Sequence, residues 1–286
     1  MSARIAFFRR MAAGVFAALI GISCSNAQNP ALSPVSSQQP NAQPAVGAQQ
    51  AATAHPLDPA IARAIESLKH IKAEVKDYTA TFVKRERVDG KLGDPEYIFL
   101  KVRQEPFSVY MYFLKPDNFA GREVIYVQGA NNGNIVVHEA KGAGALLGNI
   151  ELSPTSALAM RGNRYPITEV GVENLTKRLV EVAENDRQFG ECDVRMEDSK
   201  INDRKCTMLQ VVHPVPRKNF RFHVARVFMD EELKMPIRYE SYDWPEKAGG
   251  TPVLIEEYTY LNLKVNNDLT DIDFSPKNPK YNYRKN

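Results

Sequence analysis

The chain has 286 residues, 43% hydrophobic and 25% charged, with 37 basic and 34 acidic side chains. Arg4, Arg9 and Arg10 lie at the extreme N-terminus and no Lys, Arg, Asp or Glu occurs from Met11 to Leu57, so the rest of the chain carries 34 charges of each sign. That balance argues against a nucleic-acid partner, because binding a phosphate backbone needs a basic surplus.

The three arginines precede an apolar run, Met11 to Ile22, that is too short to span a membrane and reads as a secretory leader. The expected location is therefore the periplasm. Two processing sites compete at residues 1–27. Ser25-Asn26-Ala27 places small residues for ordinary cleavage before Gln28, whereas Gly21-Ile22-Ser23-Cys24 resembles a lipobox in which Cys24 would be lipidated. In the second case Gly21 stands where Leu is usual. Residues 28–57 are rich in Gln, Ala, Pro, Ser and Asn and offer few large apolar side chains. Such a segment cannot offset its own ordering entropy, so it is expected to be a flexible tether, reaching about 30 Å as a coil. Residues 58–286 are enough for one large core and are expected to form a single domain.

Within that domain, Asp58 followed by Pro59 suggests an N-cap and a proline at the first helical position. Ile61, Ala64, Ile65, Leu68, Ile71 and Val75 then share one stripe, which predicts an amphipathic helix over 59–76. Period-two patterning predicts strands at 78–88, 96–104, 107–115, 122–129 and 134–140, with turns at Asp89-Gly90 and at 130–133. Lys84, Arg85 and Arg87 divide between the two faces of their strand and read as solvated charge. Residues 141–166, rich in Gly, Ala and Ser, break the pattern. They contain a short helical candidate at 154–160 with Ser153 as its N-cap. A second helix is predicted over 168–187, with Val172, Leu175, Leu179 and Val182 on its apolar face. Strands resume at 191–199, 205–213, 219–230, 235–243 and 252–264. Asn202-Asp203 is a natural hairpin turn that sets Cys206 opposite residue 199 and away from Cys192. A disulfide between the two would need another register. The alternative is two small buried hydrophobes. The order of helix, sheet, irregular segment, helix and sheet suits a mainly β (α+β) fold: a strongly curved antiparallel sheet whose open side is covered by helices.

Catalytic chemistry finds little support. The five histidines, at 55, 70, 138, 213 and 223, show no pair at helical metal-ligand spacing, and HExxH, CxxC and GxSxG are all absent. Glu256 and Glu257 are neighbours on a strand and point to opposite faces, so they cannot act as a dyad. Asp271 and Asp273 lie in a Thr/Asp-rich turn near the C-terminus. No enzyme, metal or cofactor is expected.

The strands themselves are more informative. Ile98, Leu100 and Val102 oppose Tyr97 and Phe99, and Val109 and Met111 oppose Tyr110 and Tyr112, so both faces are apolar. A sheet with one wet face would alternate cleanly, so something must cover the second face. One reading is ordinary core on one side with helices or a partner on the other. The sharper one is an apolar cavity for acyl chains, with Leu100, Met111 and Phe222 as candidate lining residues. Residues 141–166 would then be the lid, held to the sheet by Arg161, Arg164 and Tyr165.

The strings YDWP (242–245), YTYLNLKVN (258–266) and LTDIDFSPKNPKYNY (269–283) resemble a bacterial envelope family of unknown function, number 1571. The resemblance covers roughly 58–283. That family is held to be similar to the periplasmic carriers that shuttle lipoproteins to the outer membrane. It implies two helices and about ten strands, in which an incomplete β-barrel is lidded by helices over an apolar cavity. The expected ligand is a lipid or lipoprotein acyl chain. The alternative is an envelope scaffold that binds proteins through the curved sheet, and a hydrolase has no motif behind it.

If Cys24 is lipidated, the mature protein partitions into the detergent phase and Cys24→Ala moves it to the soluble fraction. Phase separation of the wild type followed by N-terminal sequencing checks this, and soluble protein beginning at Gln28 would end the idea.

Overall fold

A computed structural model describes residues 54–284. The leader, Cys24 and the tether up to residue 53 lie outside the described residues. None of the described helices is long and apolar enough to cross a membrane.

Helix α1 (Asp58–Glu74) is followed by seven strands: β1 (Asp77–Val88), β2 (Lys91–Leu92), β3 (Glu96–Arg103), β4 (Ser108–Lys115), β5 (Glu123–Val127), β6 (Ile135–His138) and β7 (Asn149–Leu152). Helix α2 (Val172–Asp186) precedes β8 (Asp193–Ile201), β9 (Arg204–Val212), β10 (Val224–Asp230), β11 (Pro236–Asp243) and β12 (Val253–Val265). The strands form one antiparallel sheet in the order β7-β6-β5-β4-β3-β1-β12-β11-β10-β9-β8, with β2 paired to β1 alone. The sheet is open, because β7 and β8 do not pair. The chain therefore builds two meanders, one on each side, joined by the central pairing of β1 with β12.

Alternation in β1 defines the inner face. Tyr78, Ala80, Phe82, Lys84 and Glu86 are buried, while the residues between them are half-buried. In register, Phe82 meets Ile98 of β3 and Tyr260 of β12, and Ala80 meets Leu100. The Phe82 and Tyr260 rings lie 4.9 Å apart. α1 and α2 lie against one another and close one end of this face through Ile71, Val75 and Val172.

Several local expectations are corrected. Asp58 is not the N-cap of α1. That position is Leu57, and the Asp58 carboxylate accepts the His55 amide at 2.9 Å and pairs with Arg187 at 2.8 Å. α2 begins after Gly171, four residues later than the apolar spacing indicates, because 167–169 form a separate 3₁₀ turn. Gly171 has φ +113°, and a Cβ there would lie 2.8 Å from the Tyr78 hydroxyl, which accepts the Val172 amide at 3.0 Å. Only glycine fits that approach. Residues 154–160 form turns rather than a helix, so Ser153 caps nothing and its hydroxyl meets that of Thr155. Part of the segment expected to be irregular is strand β7, hydrogen-bonded to β6. Cys206 stands opposite Ser199, as the hairpin turn requires, and Cys192 and Cys206 are both buried free thiols.

The outer face of β3–β6 is covered by the chain's own C-terminus. Phe99, Tyr110, Tyr112, Ile125, Val127 and Val136 pack against Leu269, Phe274, Tyr281 and Tyr283. Tyr110 and Tyr281 stack with centroids 4.0 Å apart and planes within 4°. The tail is pinned where it leaves β12, since Asp77 accepts the amides of Asn267 and Leu269 at 2.6 and 3.1 Å. Asp271 and Asp273 are engaged by Arg103 and Lys101, each at 2.7 Å. Deeper in, the wholly buried Glu123 carboxylate accepts from Tyr110 Oη at 3.0 Å and from Asn282 N and Nδ2 at 2.9 and 2.7 Å.

Asn282→Ala removes one of three donors to a buried carboxyl group, so it should lower stability by about 1–3 kcal/mol. Urea unfolding reads this as a lowered midpoint at unchanged slope. An unmoved midpoint would show that the tail does not hold this face.

Candidate functional site

Between the inner face of the sheet and its covering elements lies a cavity of about 840 Å³. One wall comes from β4–β7, including Met111, Val124, Val137 and Leu152, and the opposite wall from β9–β12, including Val211, Ala225, Val227 and Ile255. Side chains from both ends of the open sheet reach one space because the sheet curves. α1, α2 and the segment 150–171 complete the enclosure.

Met111 and Phe222 line this cavity, as do Arg161, Arg164 and Tyr165. Leu100 does not. It faces the same side as Met111, its partner in register, but is wholly buried in the closed core with Ile71, Val75 and Val172. The register was legible at this position, whereas the depth at which the helices close the face depends on packing across the whole sheet.

A polar network joins the cover to the two central strands. Arg164 Nε donates to Glu256 Oε2 at 2.9 Å, and Tyr165 Oη donates to Glu256 Oε1 at 3.3 Å. The Arg164 amide donates to Glu86 Oε2 at 3.0 Å, and Arg164 Nη1 reaches the Arg87 carbonyl at 2.9 Å. Tyr258 Oη lies 2.5 Å from Glu86 Oε1 and 3.2 Å from Glu256 Oε2. Lys84 Nζ lies 3.4 Å from Glu86, 3.6 Å from Glu96 and 2.5 Å from Asn163 Oδ1. The Arg178 guanidinium sits 4.3 Å over the Tyr165 ring. These contacts form a latch that fastens 163–165 across β1 and β12. Among the described residues, Arg161 adds no side-chain bond to it.

The electrostatics follow from burial. Desolvation raises the Glu256 carboxyl above the usual carboxylate range despite the opposing Arg164 charge, with Glu86 adding to the rise. Burial also raises Glu96, against the pull of Lys84. The Tyr258 and Tyr165 hydroxyls are pushed up by burial and by the Glu256 charge, which keeps them as hydrogen-bond donors. At Arg164, burial acts to lower the pKa, but Glu256 and Tyr165 together outweigh it, so the guanidinium is held charged.

Arg164 and Tyr165 were expected to hold the cover to the sheet, but their partners Lys84, Glu86 and Glu256 were not foreseen. Lys84 is buried rather than solvated. The available signal was the alternation that places Lys84 and Glu86 on the same face as Tyr78, Ala80 and Phe82. Glu256 and Glu257 do point to opposite faces, with Glu257 paired to Arg238 at 2.8 Å and Glu256 turned inward. Among the described residues, no group of three His, Cys, Asp or Glu side chains is placed to hold a metal ion. His213 is wholly buried, stacked on Phe220 at 3.8 Å and held by Asp186 at 3.0 Å, a structural role at the end of α2.

The chain is thus an open-sheet domain curved round a latched apolar cavity. Residues 75–283 match the model of the proteins of unknown function designated DUF1571, and the chain belongs to that family. The search of the curated proteins finds no match. Among solved structures, the chain is similar to a DUF1329 family protein from Desulfovibrio piger ATCC 29098, at 13% identity over 78% of this chain and 98% of that one, with a TM-score of 0.37. It is similar to a putative outer membrane lipoprotein-sorting protein domain from Vibrio parahaemolyticus, at 14% identity over 75% and 95%, TM-score 0.37. It is also similar to the lipoprotein LppX of Mycobacterium tuberculosis, at 16% identity over 74% and 100%, TM-score 0.41.

Because the folded-state pKa of Glu256 is raised, the native state holds its proton more tightly than the unfolded chain. Stability from this group is fully present below the unfolded value of about 4.3 and is lost as pH rises through the higher folded value. Glu256→Gln, which cannot ionise, should therefore gain in melting temperature relative to wild type as pH rises from about 4 to 8. A difference that is flat with pH would refute the assignment.

Proposed function

We propose that this protein is a non-enzymatic binding protein of the bacterial envelope that holds an acyl chain of a lipid or lipoprotein in the cavity. The observation that carries the proposal is the cavity itself. It has about 840 Å³ of space, its long walls are aliphatic and aromatic, and the charges at its middle are spent on one another. That size falls within the range of specific ligand sites. Each methylene moved from water into it would contribute about 0.8 kcal/mol, so length of chain rather than a charged contact would set affinity. The basic and apolar run at the N-terminus, read as a secretory leader, supports a periplasmic role.

A carrier must also let go. The cover is fastened to the central strands by hydrogen bonds and one ion pair, which can exchange with water, alongside apolar packing of Ala159, Tyr165, Ile167 and Val170 against the core. Opening the latch therefore exposes the ligand without dismantling the fold. The scaffold reading is less favoured, because the outer face of β3–β6 is already occupied by the C-terminal tail.

A fluorescent fatty acid should bind the purified protein, and Met111→Glu or Phe222→Glu should weaken binding by about tenfold or more, since each would bury an unpaired charge against the chain. Circular dichroism verifies that the variants remain folded. Absence of probe binding by the wild type would overturn the proposal and leave the scaffold.

A further inference from the structure

The tip of the β6–β7 hairpin presents two adjacent leucines to solvent. Leu146 is 79% exposed and Leu147 72% exposed, the highest values among the exposed large hydrophobic side chains of the described residues. Single exposed leucines are ordinary, whereas an adjacent pair at a hairpin tip forms a small contiguous apolar patch that asks for an explanation.

The tip is built rather than loose. Residues Ala143–Leu146 form a 3₁₀ turn between Gly142 and Gly148, both with positive φ. The Leu147 amide donates to the Gly144 carbonyl at 3.1 Å. Arg284, from the tail that crosses the outer face, donates through Nη2 to the Ala145 carbonyl at 2.8 Å. Its backbone amide donates to Asn149 Oδ1 at 3.0 Å.

Two bases, Lys141 and Arg284, flank the tip, with the exposed acid Asp117 beside Lys141. Lys141 donates to the Asp117 carbonyl at 2.8 Å, and among the described residues neither Lys141 nor Arg284 is paired with a carboxylate. The acid nearest in sequence, Glu139, is neutralised by Arg122 at 2.8 Å. Glu151, on β7, is the remaining exposed acid of this hairpin. The tip is also continuous with the cavity. β7 follows it directly, Ile150 and Leu152 of β7 line the cavity, and so does the half-exposed Leu158.

We propose that this tip docks on the surface of an anionic phospholipid bilayer, with Leu146 and Leu147 entering the interface while Lys141 and Arg284 face the acidic headgroups. Paired apolar and basic groups on one protrusion are what such a surface recognises. Docking there brings one cavity wall beside the bilayer. The inference does not depend on what the cavity holds.

The test uses the exported, processed chain carrying Cys24→Ala, so that no lipid anchor contributes. In co-sedimentation it should bind vesicles of phosphatidylethanolamine mixed with phosphatidylglycerol more strongly than vesicles of phosphatidylcholine, and added salt should weaken that binding. The Leu146→Asp, Leu147→Asp double variant should lose about tenfold or more in vesicle partitioning, while keeping its melting temperature and fatty-acid probe binding. Lys141→Gln should lower only the salt-sensitive part. No binding by the parent protein, or equal binding by the double variant, overturns the proposal. So does a concentration-dependent dimer that the leucine changes abolish in the absence of vesicles, since the tip would then serve a second copy of the chain. Failure of probe binding with vesicle docking intact would remove the acyl-chain reading and leave this one standing.

Discussion

The hydrogen bond and ion pair between Arg164 and Glu256 hold together what the rest of the domain only prepares. The sheet curves, but it does not close, and its two meanders would leave an apolar trough open to water. Drawing residues 163–165 onto β1 and β12 converts the trough into a cavity. A carboxylate placed there is costly to desolvate, and it is tolerated because donors from Arg164, Tyr165, Tyr258 and Ser241 surround it. Removing one of these partners leaves a buried charge short of bonds, which is why the network behaves as a unit.

The same open sheet creates a second problem, on its outer face. Phe99, Tyr110 and Tyr112 would be exposed there if nothing returned to cover them. The tail beyond β12 does so, anchored at Asp77 and stacked through Tyr281 on Tyr110. The two faces are thus handled differently. The outer one is filled by the protein's own aromatic side chains, and the inner one keeps space.

If the cavity holds an acyl chain, as proposed, the polar latch and the apolar walls would divide the work of binding and release. Hydrophobic contact scales with area and is indifferent to direction, so it suits a chain of variable length. Hydrogen bonds to a cover are directional and exchange with water, so they suit an element that must open. Mixing these roles along one surface would make the ligand and the cover compete for the same groups. Here Lys84, Glu86 and Glu256 are satisfied within the network, and the walls on either side of it remain apolar.

Much of this architecture could be read along the chain. Period-two patterning located ten of the twelve strands, because alternation is a local consequence of the pleat, and the Asn202-Asp203 turn dictated the pairing of Cys206 with Ser199. Two helices were evident from their apolar stripes, and the endings YTYLNLKVN and LTDIDFSPKNPKYNY pointed to the family. What escaped were features that depend on contacts between distant segments. β7 is too short to announce itself and exists through pairing with β6. The start of α2 was decided by the close approach of Gly171 to Tyr78, 93 positions away in sequence. Leu100 has the right face but the wrong depth, since helix packing closes the core over it. Lys84, Glu86 and Glu256, the partners of Arg164 and Tyr165, carry no motif, and what makes them a latch is that the fold buries them together. Local alternation determines which way a side chain points. Only the tertiary structure decides what it meets there.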